Sequence, residues 1–149
     1  MSTVHVKTRI QAPVDRVWKT VMDPSCLADW VTIHRSVSGV SGQPLRKGST
    51  MEQVLCLRGV TFHVHWKLVD VSEPNHAEWE GQGPAHSEAR IRYELSPDGN
   101  GATEFDYINE FKPPGGRLGS VASRLIVGAA SEREARNSLA RLKSLLEDN

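Results

Sequence analysis

Pro113-Pro114-Gly115-Gly116 closes a strand-rich region, and an unbroken helical pattern then runs from about Leu118 to Leu146. Its first half reads Val121-Ala122-Ser123-Arg124-Leu125-Ile126-Val127-Gly128-Ala129-Ala130. At ~1.5 Å per residue the helix is roughly 40 Å long, enough to cross a small domain. The first half is apolar almost all round, which predicts burial on more than one side. From Glu132 to Lys143 the pattern turns charged and amphipathic. A lone long helix after a run of strands has one evident partner, the sheet those strands make. Whether it packs flush or leaves a space decides what the protein does.

Upstream, Val4, Val6, Thr8 and Ile10 alternate with His5, Lys7 and Arg9, a half-buried strand. Ala12-Pro13 stops it and opens a helix carrying Val14, Val17, Trp18 and Val21. A second short helix is expected from Ser25 to about Trp30, and strand chemistry returns over Val31 to Val37. Five further strands are predicted: Ser49 to Arg58, Thr61 to Ser72, Ala77 to Gln82, Ser87 to Leu95 and Ala102 to Phe111. Short turn-forming connectors such as Arg58-Gly59 and Pro97 to Gly101 force antiparallel neighbours.

The order is α+β: a seven-stranded, curved antiparallel sheet wrapped on a long C-terminal helix, with two short helices between strands 1 and 2. Phe62, Val64, Trp66 and Leu68 share one strand face; Trp79 with Ala77, then Ala89, Ile91, Tyr93 and Leu95, then Thr103, Phe105, Tyr107, Asn109 and Phe111 continue it. The opposite parity is polar, and Arg92 is expected about opposite Asp106 on the solvent face. Residues 1–149 are read as one domain, since no linker, repeat or low-complexity tract interrupts them.

Composition narrows the partners. Eighteen basic and eighteen acidic side chains give zero formal charge, with no basic patch to suggest nucleic acid or an anionic membrane. Arg133, Arg136, Arg141 and Lys143 are interleaved with Glu132 and Glu134 and read as a solvated helix face. No secretory leader and no membrane span is read, so a cytoplasmic location is expected. Cys26 and Cys56 lack ligand spacing and are expected to be free thiols.

The strand into Ala12-Pro13-Val14-Asp15-Arg16-Val17-Trp18, and then Pro24 to Trp30, resembles the SRPBCC superfamily across essentially the whole chain. That is the helix-grip fold shared by START domains, Bet v 1-like proteins and the polyketide cyclase/dehydrase group. Trp30-Val31-Thr32-Ile33-His34-Arg35 followed by Leu45-Arg46-Lys47-Gly48 is similar to an actinobacterial subgroup, some of whose members are labelled polyketide cyclase-like and at least one the toxin of a toxin–antitoxin pair. The resemblance implies a cavity between sheet and helix and names no reaction.

The candidate ligand-binding residues are Trp30, Phe62, Trp66, Trp79, Tyr93, Phe105, Tyr107, Asn109, Leu125, Ala129, Glu132 and Arg136. The rings supply an apolar wall or simply fill the core; Tyr93, Tyr107 and Asn109 supply oriented polar groups. Small residues Gly128 to Ala130 leave room. Helical projection places Glu132 and Arg136 inside the stripe formed by Leu118, Val121, Leu125, Ala129 and Leu139. Either the pair anchors a ligand carboxylate or phenolate, or the stripe drifts past the sheet edge and leaves it exposed.

For catalysis the candidates are His34, Tyr93 and Tyr107, with His34 as acid or base or else a histidine at the sheet margin. His63-x-His65 resembles a metal half-site, but its parity points outward and no third ligand appears; no metal or cofactor is expected. Gly115 to Ser120 reads as a hinge into the long helix sooner than as an anion cradle.

The leading functional expectation is binding of a hydrophobic or aromatic small molecule, lipid-like or polyketide-like. The alternatives are a polyketide aromatase/cyclase, acting mainly by holding one reactive conformer, and a toxin neutralised by an antitoxin. A protein partner of that kind, or a homodimer, stays open.

Overall fold

The structure is a computed structural model that describes residues 2–112 and 117–148, with side chains described for 3–112 and 132–148. Strand β1 spans Ser2–Ile10, followed by α1 (Val14–Val21), a 3₁₀ turn (Pro24–Cys26) and α2 (Leu27–Trp30). Then come β2 (His34–Ser38), β3 (Thr50–Leu57), β4 (Val60–Ser72), β5 (His76–Gln82), β6 (Glu88–Pro97), β7 (Thr103–Lys112) and α3 (Arg117–Glu147). The strands form one antiparallel sheet in the order β1-β7-β6-β5-β4-β3-β2. This is the α+β helix-grip architecture, with both short helices between strands 1 and 2 and a curved sheet facing the 31-residue α3.

Local chemistry explains the elements. Pro13 stands just ahead of α1, where its fixed φ costs nothing. The Asp23 carboxylate accepts from Ser25 N at 2.9 Å and Ser25 Oγ at 2.7 Å, starting the 3₁₀ turn and holding the carboxyl below its usual range. Arg58 and Gly59 both take positive φ, 52° and 80°, as a two-residue hairpin between twisted strands requires.

Alternation sorts the strands as expected. Val64, Trp66 and Leu68 are buried on β4 while His63, His65 and Lys67 are exposed; Trp79, Tyr93, Leu95 and Phe105 join the same core. From α3, Ala135, Leu139, Leu142 and Leu146 complete it. The end of α3 is fixed to the end of β1: Lys143 Nζ donates to Arg9 O at 2.6 Å, and Gln11 N donates to Glu147 Oε2 at 2.8 Å.

Two expectations shift. Val31 to Ile33 are not strand, because Val31 N–H bonds back to Leu27 O and Thr32 N–H goes to Ser138 Oγ at 3.1 Å, while the Thr32 hydroxyl donates to Glu134. These bonds tie the segment to α2 and α3, and β2 begins only at His34. Arg92 faces Ile108, not Asp106; Asp106 lies opposite Glu94 and takes His5 at 2.9 Å and Lys7 at 3.7 Å from β1. The pairing of β7 with both neighbours leaves Asp106 a cationic side chain on its other flank. Of the hinge expected at Gly115 to Ser120, Gly115 and Gly116 lie outside the described residues, and Arg117 to Ser120 already belong to α3.

Leu142 is fully buried where α3 meets this core. Leu142→Ala is expected to lower stability by about 2–5 kcal/mol, checked by urea unfolding, because the helix end is pinned and closes poorly on the cavity left.

Candidate functional site

A cavity of about 370 Å³ lies between the inner face of β3 to β7 and the C-terminal half of α3. That volume falls in the range of small-molecule sites. Ala135, Ser138 and Leu139 form the helix side, and Leu27, Trp30, Val31 and Ile33 close one end. Leu57 and Val60 flank the β3–β4 turn, Gly83 and Pro84 come from the β5–β6 connection with Glu88 at the start of β6, and Phe111 comes from the end of β7. Val60 is 62% exposed, and Ala85 and His86 hold consecutive positive φ values of 54° and 64°, so strained backbone borders this end.

Of the residues expected in the wall, Trp30, Phe62, Trp66, Trp79, Tyr93, Tyr107 and Asn109 line the cavity. Trp30 meets Tyr93 edge-on with ring centroids 6.2 Å apart, and Tyr93 lies 6.0 Å from Tyr107. Phe105 does not line it. The ring is sealed behind Tyr93, 5.5 Å away and nearly perpendicular, and acts as core filling. The side chains of Leu125 and Ala129, like Gly128 and Ala130, lie outside the described residues.

Glu132 and Arg136 are corrected. Both project into solvent and pair with each other at 2.9 Å, with side chains 54% and 63% exposed. The buried stripe of the described helix is Ala135, Ser138, Leu139, Leu142 and Leu146, so the apolar face has drifted off the position the projection gave it. Such a pair is worth under ~1 kcal/mol.

His34 is likewise outside the wall, one residue removed from it. Its Nδ1 accepts from Gln53 Nε2 at 2.8 Å, and Gln53 Oε1 accepts from Trp66 Nε1 at 2.8 Å. Gln53 is buried and lines the cavity, and sequence reading passed over it. A signal was present: Met51, Gln53, Leu55 and Leu57 are the inward parity of β3, and a glutamine in that series is out of place. On the outer face, His63 and His65 are exposed, and His65 pairs with Glu52. Among the described residues no three potential metal ligands gather.

The wall chemistry is neutral where it is deepest. Burial raises the Tyr93 phenol far above its ordinary value, Tyr107 adding to the effect, and burial pushes Tyr107 up to about 12. Both therefore stay protonated near neutral pH, with an O–H available to donate to a ligand and no phenolate to act as a base. Asn109 Nδ2 donates to Tyr107 Oη at 3.3 Å. Among the described residues, the two buried side-chain polar atoms without a partner are Trp30 Nε1 and Asn109 Oδ1, both on cavity-lining residues.

Trp66 is held on two sides. Its indole nitrogen is fixed by Gln53, and its ring lies on Gly81, directly across the strand pair. A Cβ at Gly81 would sit 2.5 Å from Trp66 Cζ3 and 2.8 Å from Val64 Cγ1. The ring approaches the backbone this closely only because residue 81 has no side chain.

Comparison with known proteins agrees with this fold. The family described as "Polyketide cyclase / dehydrase and lipid transport" matches residues 1–147. Toxin Rv0910 of Mycobacterium tuberculosis is 22% identical over 130 residues, covering 87% of this chain and 88% of the relative. The Zhui aromatase/cyclase of Streptomyces sp. R1128 superposes with a TM-score of 0.79 at 16% identity, over 97% of this chain and 93% of that one. Protein CV1439 of Chromobacterium violaceum gives 0.76 at 17% identity over all of both chains. At such identities the two structural likenesses show the fold.

Two outcomes are expected. Gly81→Ala should cost about 1–3 kcal/mol in urea unfolding and change the tryptophan emission as Trp66 is displaced. His34 is held below its ordinary value near 6.5 by burial. The unfolded chain therefore takes up its proton first, so this contribution to stability is complete above that value and declines as pH falls below it. Wild type should lose more stability than His34→Asn between about pH 7.5 and pH 5.

Proposed function

The chain belongs to the polyketide cyclase/dehydrase and lipid transport family of the SRPBCC superfamily, and from that premise we propose that it binds a hydrophobic or aromatic small molecule, lipid-like or polyketide-like, between sheet and α3. The observation that carries this reading is the cavity of about 370 Å³, walled by Trp66, Trp79, Phe62 and Leu139 and carrying a few neutral polar groups. Burying the apolar surface of a ligand there contributes about 25 cal/mol per Å². The amide and phenol groups then fix orientation more than affinity.

The cyclase reading has one observation in its favour. Tyr93 and Tyr107 are phenols held protonated on the wall, which suits them to polarise a ligand carbonyl. In that case the cavity also supplies the reactive conformer. Turnover of an aromatic polyketone would separate the two readings. The toxin named among the relatives brings a third, tested by whether expressing this chain arrests growth.

The experiment for the leading reading is mass spectrometry of a solvent extract of the purified protein. A stoichiometric apolar molecule is expected. Ala135→Phe, which places a ring in the cavity from α3, should retain the fold and lower affinity for that molecule by roughly tenfold or more. An empty extract, together with unchanged binding of aromatic probes in Ala135→Phe, would sink the reading.

A further inference from the structure

Trp66 Nε1 is a donor with no acceptor capacity, so the Gln53 atom facing it at 2.8 Å is the amide oxygen. The amide nitrogen then faces His34 Nδ1 at 2.8 Å and donates to it. Nδ1 is therefore the bare nitrogen, and the imidazole proton sits on Nε2. An amide nitrogen carries two hydrogens. One is taken by His34; the other has no partner among the described residues, and Gln53 lines the cavity.

We propose, resting on the ligand-binding reading above, that Gln53 is a fixed donor selecting uncharged ligands with a carbonyl oxygen, and that His34 is the positioning residue that withdraws this donor on taking up a proton. A protonated imidazole carries hydrogen on both nitrogens, so its Nδ1–H meets the Gln53 amide donor against donor. Turning the amide over resolves that contact but sets its NH2 against the indole N–H of Trp66. In either arrangement a buried donor loses its acceptor, and turning the amide over carries its unpartnered hydrogen to the other side.

The groups packed around His34 leave this transition to the imidazole. β2 pairs with β3 and packs on α2, which bring Glu52, Cys56 and Asp29; Arg35 stands next to it on β2. Glu52 is bound to His65, Cys56 interacts with Arg35 and Thr61, and Asp29 is exposed. Burial, not any of these charges, favours the neutral ring.

Calorimetry with 2-acetylnaphthalene and 2-isopropenylnaphthalene tests the proposal, since the two match in shape and differ in the carbonyl oxygen. At about pH 7.5 the ketone-to-alkene affinity ratio is expected to fall roughly tenfold in Gln53→Met. In wild type the same ratio should fall between about pH 7.5 and pH 5. His34→Asn places an untitratable amide oxygen near the Nδ1 position and should hold the ratio constant over that range. Both probes binding with a ratio that Gln53→Met leaves unchanged overturns the donor while the cavity reading stands. Neither probe binding wild type overturns the cavity reading as well. If Gln53→Met loses its circular dichroism, His34→Asn decides, because Gln53 is kept: a ratio as pH-dependent as wild type's overturns the proposal.

Discussion

The pairing of β1 with β7 is the constraint on which the rest of the molecule depends. It runs from Ser2 opposite Phe111 to Ile10 opposite Thr103, joining the first strand to the last and leaving β2 at the far edge. The chain between β1 and β2 must therefore cross the sheet, and α1 and α2 do so on its inner side, with Val17, Trp18, Leu27 and Trp30 entering the core. Loop-closure entropy opposes a contact between residues so distant in sequence, and the continuous ladder and shared core offset it. Once the ladder forms, β1 gives α3 the place where Lys143 and Glu147 attach.

That arrangement also explains why there is a cavity. One long helix and two short ones face seven strands, of which β4 to β7 turn large rings inward. These rings, held in edge-on contact, line a volume that the helices do not fill. Apart from Glu88 at the β5–β6 end, the polar groups on its wall are neutral amides, hydroxyls, phenols and an indole, so the site keeps its apolar character while still orienting what enters.

Most of the fold was legible because alternation with a period of two is a strong signal, and β4, β6 and β7 carry it over ten or more residues. Register was less so: a two-residue slip keeps every side chain on its face, which is why Arg92 was set opposite Asp106. On α3 the 100° projection accumulates error over many turns, and Glu132 and Arg136 were rotated into a stripe that belongs to Ala135 and Leu139. The aromatic wall was readable from composition and parity together. Gln53 needed the partners on β2 and β4 to show its meaning, and those come from pairing that no local window contains.

The contact of Trp66 with Gly81 carries a consequence for descent. The two residues sit across a strand pair at a distance that admits one large ring and no second side chain. The geometry couples them: any side chain at 81 leaves room only for a smaller residue at 66, and the indole that engages Gln53 goes with it. Loss of that glycine is therefore a change of pocket shape and of pocket polarity in a single step.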